Sequence, residues 1–193
     1  KTSLLEAIVL LSRGSSHRTG TDAEMIRWAA SFARVDGRRD GAGGAAEVDV
    51  MLVRDGPSGG RKRIRVNGVP RRGSALVGVL RTVVFAPEEM LLVVGAPGLR
   101  RAALDALASQ RFPAYAADLS AYGRVLTQRN HLLRAIREEQ ASRDQLAFWD
   151  AKLLESGAAV LAARHLLLGE LAAPLASAHA EIAPDEGRLE LSY

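Results

Sequence analysis

The sequence contains no cysteine. Disulfides, zinc–thiolate centres and cysteine nucleophiles are therefore excluded, and the absence fits a reducing compartment. Aromatic residues make up only 5% of the chain although 48% is hydrophobic. Ala and Leu carry the apolar load, which favours helices. Lysine is scarce as well: only Lys1, Lys62 and Lys152 among 26 basic residues, the rest being arginine. Guanidinium groups bind phosphate and carboxylate bidentately. No uninterrupted apolar run approaches the length of a membrane span, so no membrane partner is expected, and no signal-peptide pattern opens the chain. The four histidines, His17, His131, His165 and His179, lack metal-ligand spacing. Glu88-Glu89 and Glu138-Glu139 are adjacent pairs that point to different sides of an element. No Gly-x-Ser-x-Gly elbow is present.

What is there suits one domain, or one lobe with an extension: 193 residues with a mild net charge of +4. At that balance, where the charge sits matters more than its total. The opening residues Lys1-Thr2-Ser3 run into a helical pattern in which Leu4, Ile8 and Leu11 form a stripe that Leu5 and Val9 widen. A Lys-Thr pair opening a buried helix is what the end of a P-loop looks like, although the pair alone is common. A polar loop, Ser12 to Gly20, follows. Thr21 or Asp22 can cap a second helix with Met25, Ile26, Ala29 and Phe32 on one side, where Trp28 is expected to pack. Asp36 to Gly44 reads as an exposed turn between strands. Ala46, Val48, Val50 and Leu52 alternate as a strand. Arg61 to Val66 is a further strand, ending in the hairpin signal Asn67-Gly68.

Between Arg61 and Gly73 lie Arg61, Lys62, Arg63, Arg65, Arg71 and Arg72, and no acidic residue. The block suits contact with a phosphate backbone; it also suits a solvated edge whose charge discourages aggregation. Ser74 to Leu80 reads as a short helix. Thr82 to Phe85 reads as a short strand delivering the turn Ala86-Pro87-Glu88-Glu89, and Gly95 to Gly98 as a break. From Leu99 onward the pattern is helical. Tyr115, Leu119, Tyr122, Leu126, Leu133 and Ile136 form one stripe, with Arg129 at its polar step. Leu146, Trp149, Leu153, Val160, Leu167 and Leu171 form another. The polar stretch Arg137 to Asp144 lies between them, which predicts an antiparallel helical hairpin. Pro174 and Pro184 interrupt its end, and Arg188 to Tyr193 reads as a returning strand.

Several ordered segments resemble the RecF family of ABC/SMC-like DNA-repair ATPases. They are Lys1-Thr2-Ser3-Leu4-Leu5-Glu6-Ala7-Ile8, the loop Gly14-Ser15-Ser16-His17-Arg18-Thr19, and the hairpin Lys62 to Gly68. They continue with Val84-Phe85-Ala86-Pro87-Glu88-Glu89-Met90, the Gly95-Ala96-Pro97 … Arg100-Arg101 … Leu104-Asp105 run, and Tyr122 to Asn130. Phe148-Trp149-Asp150 and Gly157-Ala158-Ala159 complete the order. The resemblance implies an α/β (α+β) fold: a partial ABC-type ATPase lobe with antiparallel strands over 1–98 and a helical arm over 99–193. It implies ATP and Mg²⁺ as cofactors, with Lys1 on the β/γ-phosphates, Thr2 on the Mg²⁺ and Arg18 toward nucleotide. Lys62, Arg63 and Arg65 become DNA-binding candidates. Glu88 stands near a Q-loop position without the expected Gln.

The resemblance further implies an ATP-dependent homodimer in the cytoplasm that binds ssDNA and dsDNA at gapped junctions and acts with RecO and RecR to load RecA. The P-loop glycines are expected before Lys1, and the signature and Walker B acids after Tyr193. These residues alone are therefore expected not to hydrolyse ATP, and the full protein to be a weak DNA-dependent ATPase. Another ABC/SMC-type head, such as a nuclease-fused one, and a helical interaction module without nucleotide chemistry are the competing readings.

Overall fold

The computed structural model describes residues 2–41, 44–55, 59–85 and 90–193. The chain divides into two compact units, Lys1–Glu89 and Met90–Tyr193. The short helix after residue 90 therefore belongs with the helical unit rather than with the sheet. The whole is α+β: among the described residues, a four-stranded antiparallel sheet with one α-helix in the first unit, and helices in the second.

In the first unit, helix α1 spans Thr2–Arg13 and the strands are β1 (Phe32–Arg39), β2 (Ala46–Asp55), β3 (Gly59–Val66) and β4 (Val69–Arg71), in the order β1-β2-β3-β4. Alternation dictates the faces. Val48, Val50 and Leu52 of β2 are buried, and with Ile64 of β3 they pack against Leu10 and Leu11 of α1, Ile26 and Leu76. Burying each such side chain contributes about 1.5–3 kcal/mol. At the hairpin, Asn67 and Gly68 both adopt positive φ, 52° and 76°. Two successive positive values are what a two-residue I′ turn needs to match strand twist. Asn67 is also clamped from β2: its N–H donates to the Glu47 carbonyl, and its Oδ1 accepts from the Glu47 N–H, both at 2.8 Å.

Several expectations are corrected in this unit. The predicted second helix is only a 3₁₀ turn, Asp22–Met25, and Phe32 starts a strand. Residues 32–39 pair fully with β2, so β1 takes up the first part of the expected turn, Asp36 to Arg39. Of the α1 stripe, Val9 and Leu11 are buried but Leu4, Leu5 and Ile8 are exposed; Leu10 takes their place in the core. Trp28 is 94% exposed, so it is not a core residue. Ser74–Leu80 holds a 3₁₀ turn, Gly73–Leu76, rather than a helix. Residues 82–85 form no strand; the Thr82 hydroxyl lies 2.7 Å from that of Ser12 on α1.

The second unit contains α2 (Leu91–Val94), α3 (Pro97–Arg111), α4 (Tyr115–Arg137) and α5 (Leu146–Ile182). The helical hairpin is present as α4 and α5. Three contacts give its antiparallel register: Arg129 with Asp150, Tyr122 with Gly157, and Tyr115 with Arg164. Each pair lies seven residues further down α4 and seven further up α5, so the contacts recur at heptad spacing. A Cβ on Gly157 would stand 3.4 Å from the Tyr122 ring, so the glycine lets the ring lie close to α5. A third helix, α3, was not separated by sequence; Phe112 to Ala114 breaks it from α4.

The end of the chain differs from expectation. Pro174 lies inside α5, which continues to Ile182. Its ring is exposed, so the carbonyl it leaves unbonded can reach water. Residues 188–193 are irregular rather than a strand; their end is held on α5 by Arg164 Nη1 donating to Tyr193 Oη at 2.5 Å. An 18-residue window of this helical stretch averages a hydropathy of 1.4, so it is long and apolar enough to cross a membrane by length and composition alone. Within it, Arg164 and Glu170 pair with Asp105 and Arg111 of α3.

Candidate functional site

The sequence candidates fall at three places. The first is the start of α1. Lys1 lies outside the described residues, as do Pro87, Glu88 and Glu89 of the Phe-x-Pro-Glu turn. Thr2 is the exposed first residue of α1, and the first turn carries no acidic residue. The positive end of the helix is thus left without an internal counter-charge. One turn on, Glu6 accepts from Ser16 Oγ at 2.5 Å and from Arg18 Nη1 at 3.5 Å.

Ser16 is the hinge of that loop. Its Oγ also accepts from the backbone N–H groups of Arg18 (3.0 Å) and Thr19 (3.3 Å). Thr19 in turn donates to Glu24, and its hydroxyl accepts from the Thr21 N–H. The loop begins at Gly14, whose φ is +72° and whose N–H donates to the Leu10 carbonyl at 2.8 Å, a left-handed helix cap. The result holds Arg18 beside the first half of α1 while its side chain stays 53% exposed. Ser3, Glu6, Arg18, Glu24, Arg27 and Trp28 share a cleft of about 400 Å³ there. Glu6 and Ser16 are the residues that sequence reasoning left without a role. The signal was present in the loop Gly14 to Thr19, where Ser16 can fold the backbone onto itself.

The second place is the sheet. Alternation separates the three basic candidates of β3. Arg63 and Arg65 lie exposed on the outer face, and Lys62 is on the inner one. Lys62 Nζ donates to the Gly14 carbonyl at 2.5 Å and pairs with Asp22 at 2.9 Å, so it ties the sheet to the loop after α1. On the outer face Arg34 takes Asp49 at 2.5 Å, and Arg61 takes Asp55 at 2.8 Å. Arg65 stands opposite Asp49 in register, yet that carboxylate is held by Arg34. Among the described residues, Arg63 and Arg65 have no ion-pair partner.

The third place is the helical unit, where the motif residues meet one another. Arg129 pairs with Asp150 at 2.6 Å, joining the Gln-Arg-Asn and Phe-Trp-Asp segments. Arg100 Nη1 donates to the carbonyls of Leu92, Val93 and Gly95 and caps the end of α2. Arg164 forks onto Asp105, Nε to Oδ1 at 2.8 Å and Nη2 to Oδ2 at 2.9 Å, and Tyr115 Oη donates to Asp105 Oδ1 at 2.5 Å. Burial works against the charge on Arg164, but its hydrogen bonds to Asp105, Tyr115 and Tyr193 outweigh that and hold it above its ordinary range. Burial, then the bond to Asp105, pushes the Tyr115 hydroxyl up to about 12. Asp105, Arg129 and Asp150 thus hold helices together. No group of three metal-ligating residues occurs among the described residues.

No family model matches the chain. Among curated relatives, the "DNA replication and repair protein RecF" of Heliobacterium modesticaldum is 40% identical over 195 residues, covering 100% of this chain and 51% of the relative. The protein so named in Bacillus subtilis is 36% identical over 195 residues, covering 100% and 51%. Of solved structures, the recombination mediator protein RecF-ATP in the RecFOR pathway superposes with a TM-score of 0.85 at 30% identity, covering 98% of this chain and 53% of that one. Its RecF-ATPrS counterpart gives 0.85 at 32%, covering 94% and 48%. The chain spans about half the length of the curated relatives it matches.

Proposed function

Because the chain belongs to the RecF family over its whole length, we propose that it forms part of an ATP-binding DNA-repair protein in which nucleotide switches dimerisation. The observation that carries this is the match of the entire chain to RecF in both sequence and fold. The start of α1 suits the phosphate end of a nucleotide. It has an exposed hydroxyl at Thr2 and no acid in the first turn, and a helix start presents N–H groups without intrahelical partners. In this reading Lys1 holds the β/γ-phosphates and Thr2 provides the hydroxyl for Mg²⁺. Arg18, tethered through Glu6 and Ser16, supplies positive charge beside them. Bound Mg²⁺·ATP supplies the negative charge that these groups neutralise.

DNA meets the outer face of the sheet. Arg63 and Arg65 are the side chains free to reach phosphates, while Lys62 contributes by anchoring the strand to the loop that bears Arg18. The protein acts at ssDNA/dsDNA junctions in the cytoplasm, with RecO and RecR as partners in placing RecA, and dimerises when ATP is bound. In the full-length protein, Arg63→Glu with Arg65→Glu will weaken duplex binding. It will also flatten its salt dependence, by about 0.9 in the log–log slope for each phosphate no longer neutralised. Unchanged affinity and slope would leave the basic block as a solvated sheet face.

A further inference from the structure

The solvent face of α4 is charged in a way the proposed sites do not use. From Leu119 to Arg137 the helix carries four arginines and no Asp or Glu. Arg129 is taken by Asp150. Ser120, Arg124, Thr127, Gln128, His131 and Arg134 are all exposed and recur at three- and four-residue steps, which puts them along one side. Arg124 to Arg134 spans about 15 Å of helix. Among the described residues, Arg134 has no acidic partner, and Arg124 donates only to Ser120 Oγ, at 2.7 Å.

Beside this stripe lies an open cleft of about 850 Å³ whose lining includes Gly123, Arg124, Gln128 and Trp149. The neighbouring Phe148 is 61% exposed, with its ring edge-on to Trp149 at 5.2 Å. Gly123 is the telling residue. A glycine inside a helix costs about 1 kcal/mol relative to alanine, and here a Cβ would meet no atom within 4 Å. Packing within the chain does not require it. What the glycine leaves is a stretch of helix without a side chain lining the cleft, open to close approach from outside.

We infer that this face of α4, with the cleft at Gly123 and Trp149, binds single-stranded nucleic acid. Arginines spaced along a helix track a phosphate backbone. Gln128 offers hydrogen bonds, the Thr127 hydroxyl can accept one while it donates to the Gly123 carbonyl at 2.9 Å, and the aromatic pair gives bases a surface to stack on. Such stacking is open to a single strand, whereas a duplex hides its base faces. An acidic protein segment would use the arginines but has no need of the aromatic pair or of the space a side chain at Gly123 would fill. The inference rests on the DNA-binding reading above and assigns the single strand to the helical unit, apart from the sheet face.

The test uses the full-length protein and fluorescence anisotropy with labelled oligothymidylate, and with a duplex of equal length. Gly123→Leu fills the cleft from a position with open space around it. The pair Arg124→Ala and Arg134→Ala removes exposed charge, so neither variant should disturb folding, which circular dichroism checks. Each should raise the oligothymidylate Kd about fivefold or more, with duplex binding within about twofold. The arginine pair should also flatten the single-strand salt slope by about 0.7 for each phosphate no longer neutralised. Oligothymidylate binding within about twofold of the parent overturns the inference. Equal loss on duplex overturns it too, since the face would then track duplex backbone. If Arg63→Glu with Arg65→Glu abolishes binding of both probes while the α4 variants bind normally, this inference fails and the DNA-binding reading stands. If the parent binds neither probe, both fail.

Discussion

Asp105→Ala is the substitution that should cost the helical unit most. Its carboxylate holds three groups at once: both arms of the Arg164 fork, at 2.8 and 2.9 Å, and the Tyr115 hydroxyl at 2.5 Å. Arg164 has a side chain only 11% exposed, so removing its partner strands a charge away from water. Breaking one side of such a pair costs about 3–5 kcal/mol. The orphaned Tyr115 hydroxyl falls within that range rather than adding to it in full, because the two share one carboxylate. Domain stabilities are about 5–15 kcal/mol, so the loss should be visible as local opening of α3, α4 and α5. Hydrogen exchange on the full-length protein reads it directly. Replacing both partners, Asp105→Leu with Arg164→Met, leaves no stranded charge and should cost clearly less than Asp105→Ala. A single-variant loss under about 1 kcal/mol, or a double variant as damaged as the two singles combined, would refute this account of the pair.

Three further outcomes follow from other contacts and from Tyr115. The Tyr115 hydroxyl ionises near 12 in the folded chain against an ordinary value of 10. Its contribution is whole below about pH 10 and is lost as pH rises toward 12, on the order of 2–3 kcal/mol; ultraviolet titration should show a late-ionising tyrosine that Tyr115→Phe removes. Gly95→Ala would set its Cβ 2.4 Å from the Leu91 carbonyl oxygen and 2.8 Å from Leu99 Cδ1. The backbone must shift, so urea unfolding should show a loss of about 2 kcal/mol or more. Lys62→Met removes the bond to Gly14 and the pair with Asp22; it should destabilise the sheet unit by about 1–3 kcal/mol and lower DNA affinity less than Arg63→Glu with Arg65→Glu does.

Local chemistry made parts of this structure readable in advance. Asn67-Gly68 carries its own turn geometry, and the alternation of Ala46, Val48, Val50 and Leu52 alone says which side of β2 is buried. Tyr115, Tyr122 and Arg129 lie seven apart, and the polar step at Arg129 already asked for a partner, which Asp150 supplies. What could not be read depends on distant neighbours. Residues 32–39 look like a helix side followed by a loop until β2 is there to pair with them. Trp28 has helical spacing to Phe32 but no helix to make that spacing meaningful. Lys62 reads as one of a basic trio, and only the strand's alternation and the Gly14 carbonyl turn it inward. Pro174 looks like a stop, yet an exposed proline in a long helix leaves a carbonyl that water can satisfy.

On the function proposed above, the start of α1 holds the phosphates of ATP. Isothermal titration of the full-length protein with Mg²⁺·ATP tests it most directly, comparing the parent with Lys1→Ala and Thr2→Val. Lys1→Ala should lose affinity by about tenfold or more, and Thr2→Val should weaken the Mg²⁺ dependence of binding. ATP binding unchanged in both variants would contradict it.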